Sequence, residues 1–171
     1  MTQFTHALAP HLGDAATRQV YDHLGALCRI VLDGRATGGA LSVVEERARQ
    51  HYMTPRHLHE REAETFVVLD GELEGWAAGD VQRVAAGNLI HLPAGIEHAF
   101  RVTSPTAHFL TLVTPAGFEE FFVRSGVPLS EPFDGELPWP GPLSAEQGAR
   151  LQEILAPLGC SLTGPPPFDV A

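Results

Sequence analysis

The feature that most constrains this chain is a succession of short, strand-length runs, each stopped by a turn residue, that occupies residues 21–113. Runs at 21–32 and 40–47 flank the turn Asp33-Gly34-Arg35-Ala36-Thr37-Gly38-Gly39. A loop through Met53, Thr54 and Pro55 leads into Arg56-His57-Leu58-His59. Further runs at 64–69, 72–77, 81–84, 89–92, 98–102 and 107–113 follow, with turns at Asp70-Gly71 and Gly79-Asp80. Close spacing of this kind, with turns drawn from 17 glycines and 14 prolines, predicts an all-β sandwich or closed barrel.

Two helices are predicted after the barrel. The first spans 115–125, with Thr114 as N-cap and Pro115 at the first helical position; Phe118, Phe121 and Phe122 share one face. Glu119 and Glu120 sit early, Arg124 sits late, and Gly126 stops it. The second spans 144–157, opened by the capping box of Ser144 and Gln147, with Leu151, Ile154, Leu155 and Leu158 on its apolar side. Between them the proline-rich stretch 127–142 reads as an extended strap. The whole divides into an N-terminal arm at 1–20, a β core at 21–114 and a C-terminal part at 115–171 packed on that core, one domain overall.

Composition removes several function classes. There is no lysine, which excludes a Schiff-base enzyme and a Walker-type phosphate loop. A formal charge of −10 argues against nucleic acid or an anionic membrane as partner. Cys28 and Cys160 are too few for a disulfide framework or a thiolate zinc site, and both read as buried thiols. Residues 1–20 lack a basic start and a continuous apolar run, and no stretch approaches the ~20 apolar residues of a membrane span, so the expectation is a cytoplasmic protein.

Among nine histidines, three stand in a telling arrangement. His57 and His59 on one strand present both imidazoles to the same face, because strand side chains alternate. Glu64 opens the next strand and His98 lies on a later one. Three neutral imidazoles and a carboxylate on neighbouring strands would suit one divalent first-row metal, with up to two positions left open.

These residues also fall into a recognisable frame. H-x-H, four residues, Glu, six residues and Gly occur as His57, His59, Glu64 and Gly71; G-x5-P-x-G-x2-H occurs as Gly87, Pro93, Gly95 and His98. The chain thereby resembles the cupins, and its flanking segments, including the stretch from Thr114 to Phe122 and the tail Gly164-Pro165-Pro166-Pro167, resemble single-domain bacterial cupins of the quercetin (flavonol) dioxygenase-like group. That resemblance implies a double-stranded β-helix, or jelly-roll, barrel with two short C-terminal helices. It implies His57, His59, Glu64 and His98 as ligands of one divalent transition metal (Fe, Mn, Ni, Co, Cu or Zn). It also implies a small-molecule enol or phenol substrate opened with dioxygen and release of carbon monoxide, Glu64 as catalytic base, and a homodimer. Two positions depart from the pattern: His51 stands where the motif usually begins with Gly, and Val102 where it often ends with Asn. The alternatives are a non-catalytic metal- or ligand-binding cupin and a metal-assisted isomerase, cyclase or hydrolase.

The other candidates have plainer expectations. His6, His11 and His23 read as ordinary surface or core residues. His91 and His108 fit packing or exposure first, with a place in the pocket as the alternative. Glu97 alternates away from His98 and reads as surface. The phenylalanine stripe of the first helix, with Met53, Phe66, Trp76, Phe100 and Phe109, reads as core, some of it lining the barrel mouth.

Overall fold

The computed structural model describes residues 10–14, 18–130, 132–139, 141 and 143–168. His6 therefore lies outside the described residues. The chain runs β1 (Val20–His23), β2 (Ala26–Leu32), β3 (Ser42–Arg49), β4 (Arg56–His59), β5 (Ala63–Asp70), β6 (Glu72–Ala77), β7 (Asp80–Ala85), β8 (Leu89–Leu92), β9 (His98–Val102) and β10 (Thr106–Thr114). After these come α1 (Glu119–Ser125), β11 (Val127–Leu129), α2 (Ala145–Leu155), a 3-10 turn (Ala156–Leu158) and β12 (Cys160–Gly164). Two antiparallel sheets result, in the orders β11-β1-β2-β3-β10-β5-β8 and β12-β4-β9-β6-β7. This is the jelly-roll barrel expected, with its two short helices.

Alternation decides the interior. On β3, Ser42, Val44, Glu46 and Ala48 are buried; on β10, Ala107, Phe109, Thr111 and Val113; on β5, Glu64, Phe66 and Val68. The register stacks these residues into rows. Val113 faces Ser42 and Glu64, Thr111 faces Val44 and Phe66, and Phe109 faces Glu46 and Val68. One end of the barrel is filled by Phe66, Phe100, Phe109, Leu73 and Leu92. At the other end Cys28, Val44, Val113 and Cys160 pack against Phe118 and Phe122 of the first helical segment and Leu151 and Leu155 of α2. The two sheets approach closely at Gly75, where a Cβ would sit 2.7 Å from Ile90 Cδ1. Gly71, at φ 78°, turns β5 into β6 where a side chain would collide with the Thr106 carbonyl.

Three sequence expectations are corrected and one strand is added. The run at 21–32 is two strands, because Leu24 (φ 57°) and Gly25 (φ 98°) form a two-residue hairpin turn. The first helix begins at Glu119, not at 115, because Thr114 is still paired with Ala63 as the end of β10 and cannot be a cap. The helix start is held instead by Glu119, whose carboxylate accepts from the Gly34 and Gly117 amides at 2.8 and 2.6 Å. The α-helical part of the second helix ends at Leu155, and its last turn tightens to 3-10 around Pro157. The C-terminal stretch before the prolines, finally, is a strand, β12, that pairs with β4. The capping box at Ser144 and Gln147 forms as read.

The strap is pinned to the outer face of β2 and β3. Arg47 and Arg49, which alternate outward, donate to the Phe133 and Leu137 carbonyls at 2.8 and 2.9 Å, and Arg29 lies 4.2 Å over the Phe133 ring. Among the described residues no helix is long and apolar enough to cross a membrane.

Candidate metal centre

The centre joins the two sheets. β4 and β9 pair so that His57 faces His98, and β5 of the opposite sheet contributes Glu64. One ligand atom from each of His57, His59, Glu64 and His98 lies within 4.8 Å of all the others. Glu64 Oε2 is 3.9, 3.7 and 3.1 Å from the Nε2 atoms of His57, His59 and His98. Three imidazoles around one carboxylate oxygen, without a lysine or arginine among them, form a donor set that suits a divalent first-row ion.

The ring orientations fit that use. His57 Nδ1–H donates to the Pro55 carbonyl at 2.9 Å, and His98 Nδ1–H donates to the Ile96 carbonyl at 2.8 Å. Each bond occupies Nδ1 and points Nε2 at Glu64, so Nε2 is the atom left to ligate an ion when the ring is neutral. His59 Nδ1 is buried without a partner among the described residues. Its ring is clamped edge-on by Phe118 at 4.2 Å, and the Cys160 sulfur stands 3.9 Å from its Nε2.

Burial and charge set the protonation. Burial pushes His59 down to about 4 against the pull of Glu64. Burial works against charge on His98 as well, but the hydrogen bond and charge of Glu64 prevail and raise it. Burial favours the neutral acid at Glu64, yet the three imidazoles outweigh it and hold the carboxyl well below its usual range. The side chains of Glu64, His59 and His98 are at most 4% exposed, whereas that of His57 keeps 12%, so the centre meets solvent on the His57 side.

The remaining sequence candidates fall elsewhere. His91 is exposed and hydrogen-bonded to Thr65 at 2.8 Å. His108 points outward to Glu45 at 2.8 Å. His23 is buried against Phe121 and Phe122 and shares a 2.9 Å hydrogen bond with Ser125. Glu97 is half-buried beside Arg56 at 3.7 Å. Phe66, Phe100 and Phe109 are core, Met53 and Trp76 are half-buried, and both cysteines are buried. His51 adopts φ 72°, so the left-handed turn that a glycine usually supplies is retained with an imidazole.

Sequence reasoning missed three neighbours of the centre: Phe118 as the cover of His59, Cys160 beside it, and a second interior carboxyl, Glu46, bonded to Thr111 at 2.5 Å. The alternation Ser42, Val44, Glu46, Ala48 carried the signal for Glu46, an acid in an otherwise inward-facing row.

Residues 43–115 match the cupin domain family, and the barrel and motifs that those residues build are those of a cupin domain. It is 30% identical over 111 residues to quercetin 2,3-dioxygenase of Bacillus subtilis, an alignment covering 65% of this chain and 32% of that protein, so the chain spans about a third of the length of this relative. Its fold is similar to that of KdgF from Halomonas sp. (TM-score 0.59, 18% identity, 66% of this chain and 99% of that one). It is likewise similar to a mutant of Bacillus subtilis oxalate decarboxylase (TM-score 0.58, 19% identity, 75% and 35%).

Proposed function

We propose that His57, His59, Glu64 and His98 hold one divalent transition metal, and that the protein is a dioxygenase acting on a small enol or phenol. The observation that carries this reading is the convergence of three Nε2 atoms on Glu64 Oε2 at 3.1 to 3.9 Å. The relation to quercetin 2,3-dioxygenase favours oxygen chemistry over the other reactions such a centre can run. A bound metal would supply Lewis acidity toward the substrate hydroxyl and an electron route to dioxygen.

The residues of the chain do the rest. The Pro55 and Ile96 carbonyls keep His57 and His98 in the tautomer that offers Nε2. Phe118 shields His59 from water, and Glu64, held anionic, accepts the substrate hydroxyl proton at a carboxylate oxygen. The enolate so formed is the electron-rich species that reacts with dioxygen, whose two atoms enter the product.

The test is metal analysis of protein purified without a histidine tag, followed by oxygen uptake with quercetin after loading each of Fe, Mn, Co, Ni, Cu and Zn. Uptake that depends on both metal and enol is expected. No uptake with any metal, beside anaerobic turnover of another substrate, would establish an isomerase, cyclase or hydrolase instead.

A further inference from the structure

The three histidines of the centre are not held alike. His57 and His98 each commit Nδ1 to a backbone carbonyl two residues back, that of Pro55 or Ile96, at 2.9 and 2.8 Å. His59 has no such bond: its side chain is fully buried, and its Nδ1 is without a partner among the described residues. A ligating imidazole ordinarily gives its second nitrogen to a carbonyl, a carboxylate or water, which fixes the ring. Here the ring is fixed by contact. Phe118 meets it edge to face, with 4.2 Å between ring centroids and 83° between planes. The other close neighbours of its Nε2, Glu64 at 3.7 Å and the Cys160 sulfur at 3.9 Å, lie on strands of the barrel wall. Phe118 does not.

Phe118 stands just before α1, a helix of seven residues that is too short to hold itself, and its own side chain makes no capping bond. Its place is set from outside. The two carboxylate oxygens of Glu119 accept from the Gly34 amide at 2.8 Å and the Gly117 amide at 2.6 Å. Bonds from an amide to an ionised carboxylate are roughly twice as strong as neutral ones. Gly34 opens the turn between β2 and β3, 85 positions from Glu119. At the far end of the same turn the Gly39 carbonyl accepts from the Ala116 amide at 3.0 Å. The two segments fit so closely that a Cβ on Gly34 would lie 2.9 Å from Ala116 Cβ and 3.0 Å from Glu119 Oε1.

We propose that Glu119 is a positioning residue of the metal centre: by tying the start of α1 to the β2–β3 turn it seats Phe118, and Phe118 holds the His59 imidazole in its ligating orientation. The bonds of Glu119 go to two backbone amides and to none of the four ligands. The proposal rests on the reading of His57, His59, Glu64 and His98 as metal ligands and adds a division of labour to it. Two histidines are fixed by carbonyls just ahead of their own strands, the third by a helix that a distant turn keeps in place. With Phe118 displaced, the His59 ring turns about its Cβ–Cγ bond and water reaches Nδ1. Ordering the ring again then becomes part of the cost of binding the ion. The loss falls on one ligand of the three histidines.

The test uses the full chain loaded with cobalt(II), in which the Nδ1 protons of neutral imidazole ligands give hyperfine-shifted, exchangeable proton resonances. Wild type should show one from each of His57, His59 and His98. In Glu119→Ala one of the three should broaden or vanish through exchange with water while the two that the carbonyls protect persist. Cobalt affinity, read by competition with a chromogenic chelator, should fall about 10-fold, the lower end of the loss seen when the outer partner of a ligand is removed. Phe118→Leu should affect the same resonance and lower affinity as much. The double variant should bind no more weakly than Phe118→Leu alone, because the two residues act in series. Glu119→Gln keeps an oxygen for one of the two amides and should fall between; this milder variant carries the test if Glu119→Ala does not fold. Affinity losses that add in the double variant, or joint loss of all three resonances, would make Glu119 a support of the fold at large and overturn the proposal. Wild type that takes up cobalt beside variants identical to it refutes the positioning role alone. Wild type that takes up no cobalt refutes the reading of the four ligands, and this proposal with it.

Discussion

Replacing Glu46 by Gln should stabilise the metal-free protein by an amount that grows with pH. Glu46 is buried with a pKa of about 8, against 4.5 for an ordinary glutamate. Below pH 4.5 the side chain carries its proton in both the folded and the unfolded chain, so glutamate and glutamine differ little. Between 4.5 and 8 the unfolded chain loses the proton while the folded one keeps it, and each pH unit costs the folded state about 1.4 kcal/mol. From pH 5 to pH 8 the wild type should therefore lose on the order of 4 kcal/mol that Glu46→Gln retains. The amide keeps an oxygen for the Thr111 hydroxyl, so the packing is conserved. Titrating groups distant from Glu46 are common to the two proteins and cancel in the difference. Urea midpoints of both proteins at pH 5, 6, 7 and 8 measure it. Curves that run parallel across that range would mean that Glu46 ionises alike in the folded and unfolded chain.

Other perturbations bear on the centre and its supports. Glu64→Gln keeps a ligating oxygen but removes charge and basicity, so turnover per bound metal should drop by roughly 10²–10⁴; wild-type turnover per metal would end the proton-acceptor role. Protons compete with metal for imidazole, and His98, whose pKa is raised, is protonated before His59, which burial holds near 4. Metal content should therefore fall as pH drops from 7 toward 4, and a constant content across that range by elemental analysis would contradict histidine ligation. At His51, with φ 72°, His51→Val should cost about 1–2 kcal/mol more than His51→Gly in thermal or urea unfolding, since a β-branched side chain resists the left-handed region. Equal stabilities would mean the turn relaxes without strain.

Much of the barrel was legible because its signals are local. Asp70-Gly71 and Gly79-Asp80 announce their turns by residue type, and alternation along 42–48, 64–68 and 107–113 marks one face of each strand. The hairpin at Leu24-Gly25 was hidden, since leucine is an unusual residue in a left-handed turn and only the glycine advertised it. The first helix was placed too early for a related reason. Thr114-Pro115 has the composition of a helix start, but pairing of Thr114 with Ala63 extends the strand through it, and a pairing across 51 positions leaves no mark on the local sequence. The strand Cys160–Gly164 is short and becomes a strand only because β4 offers it an edge.

The sequence by itself determined which side chains could make a metal centre. His57 and His59 share a face through the two-residue period, and Glu64 and His98 follow at spacings that recur with that pair. Only the tertiary structure decided that these four meet across two sheets, that the Pro55 and Ile96 carbonyls turn Nε2 of His57 and His98 toward Glu64, and that Phe118 closes over His59. It also decided that two glutamates of one barrel have opposite characters. Glu64 is surrounded by imidazoles and stays charged, whereas Glu46 has a hydroxyl and apolar neighbours and stays neutral. Residue type sets what a carboxyl can do. Its protonation depends on desolvation and on the charges brought near it, and both exist only once the chain has closed around it.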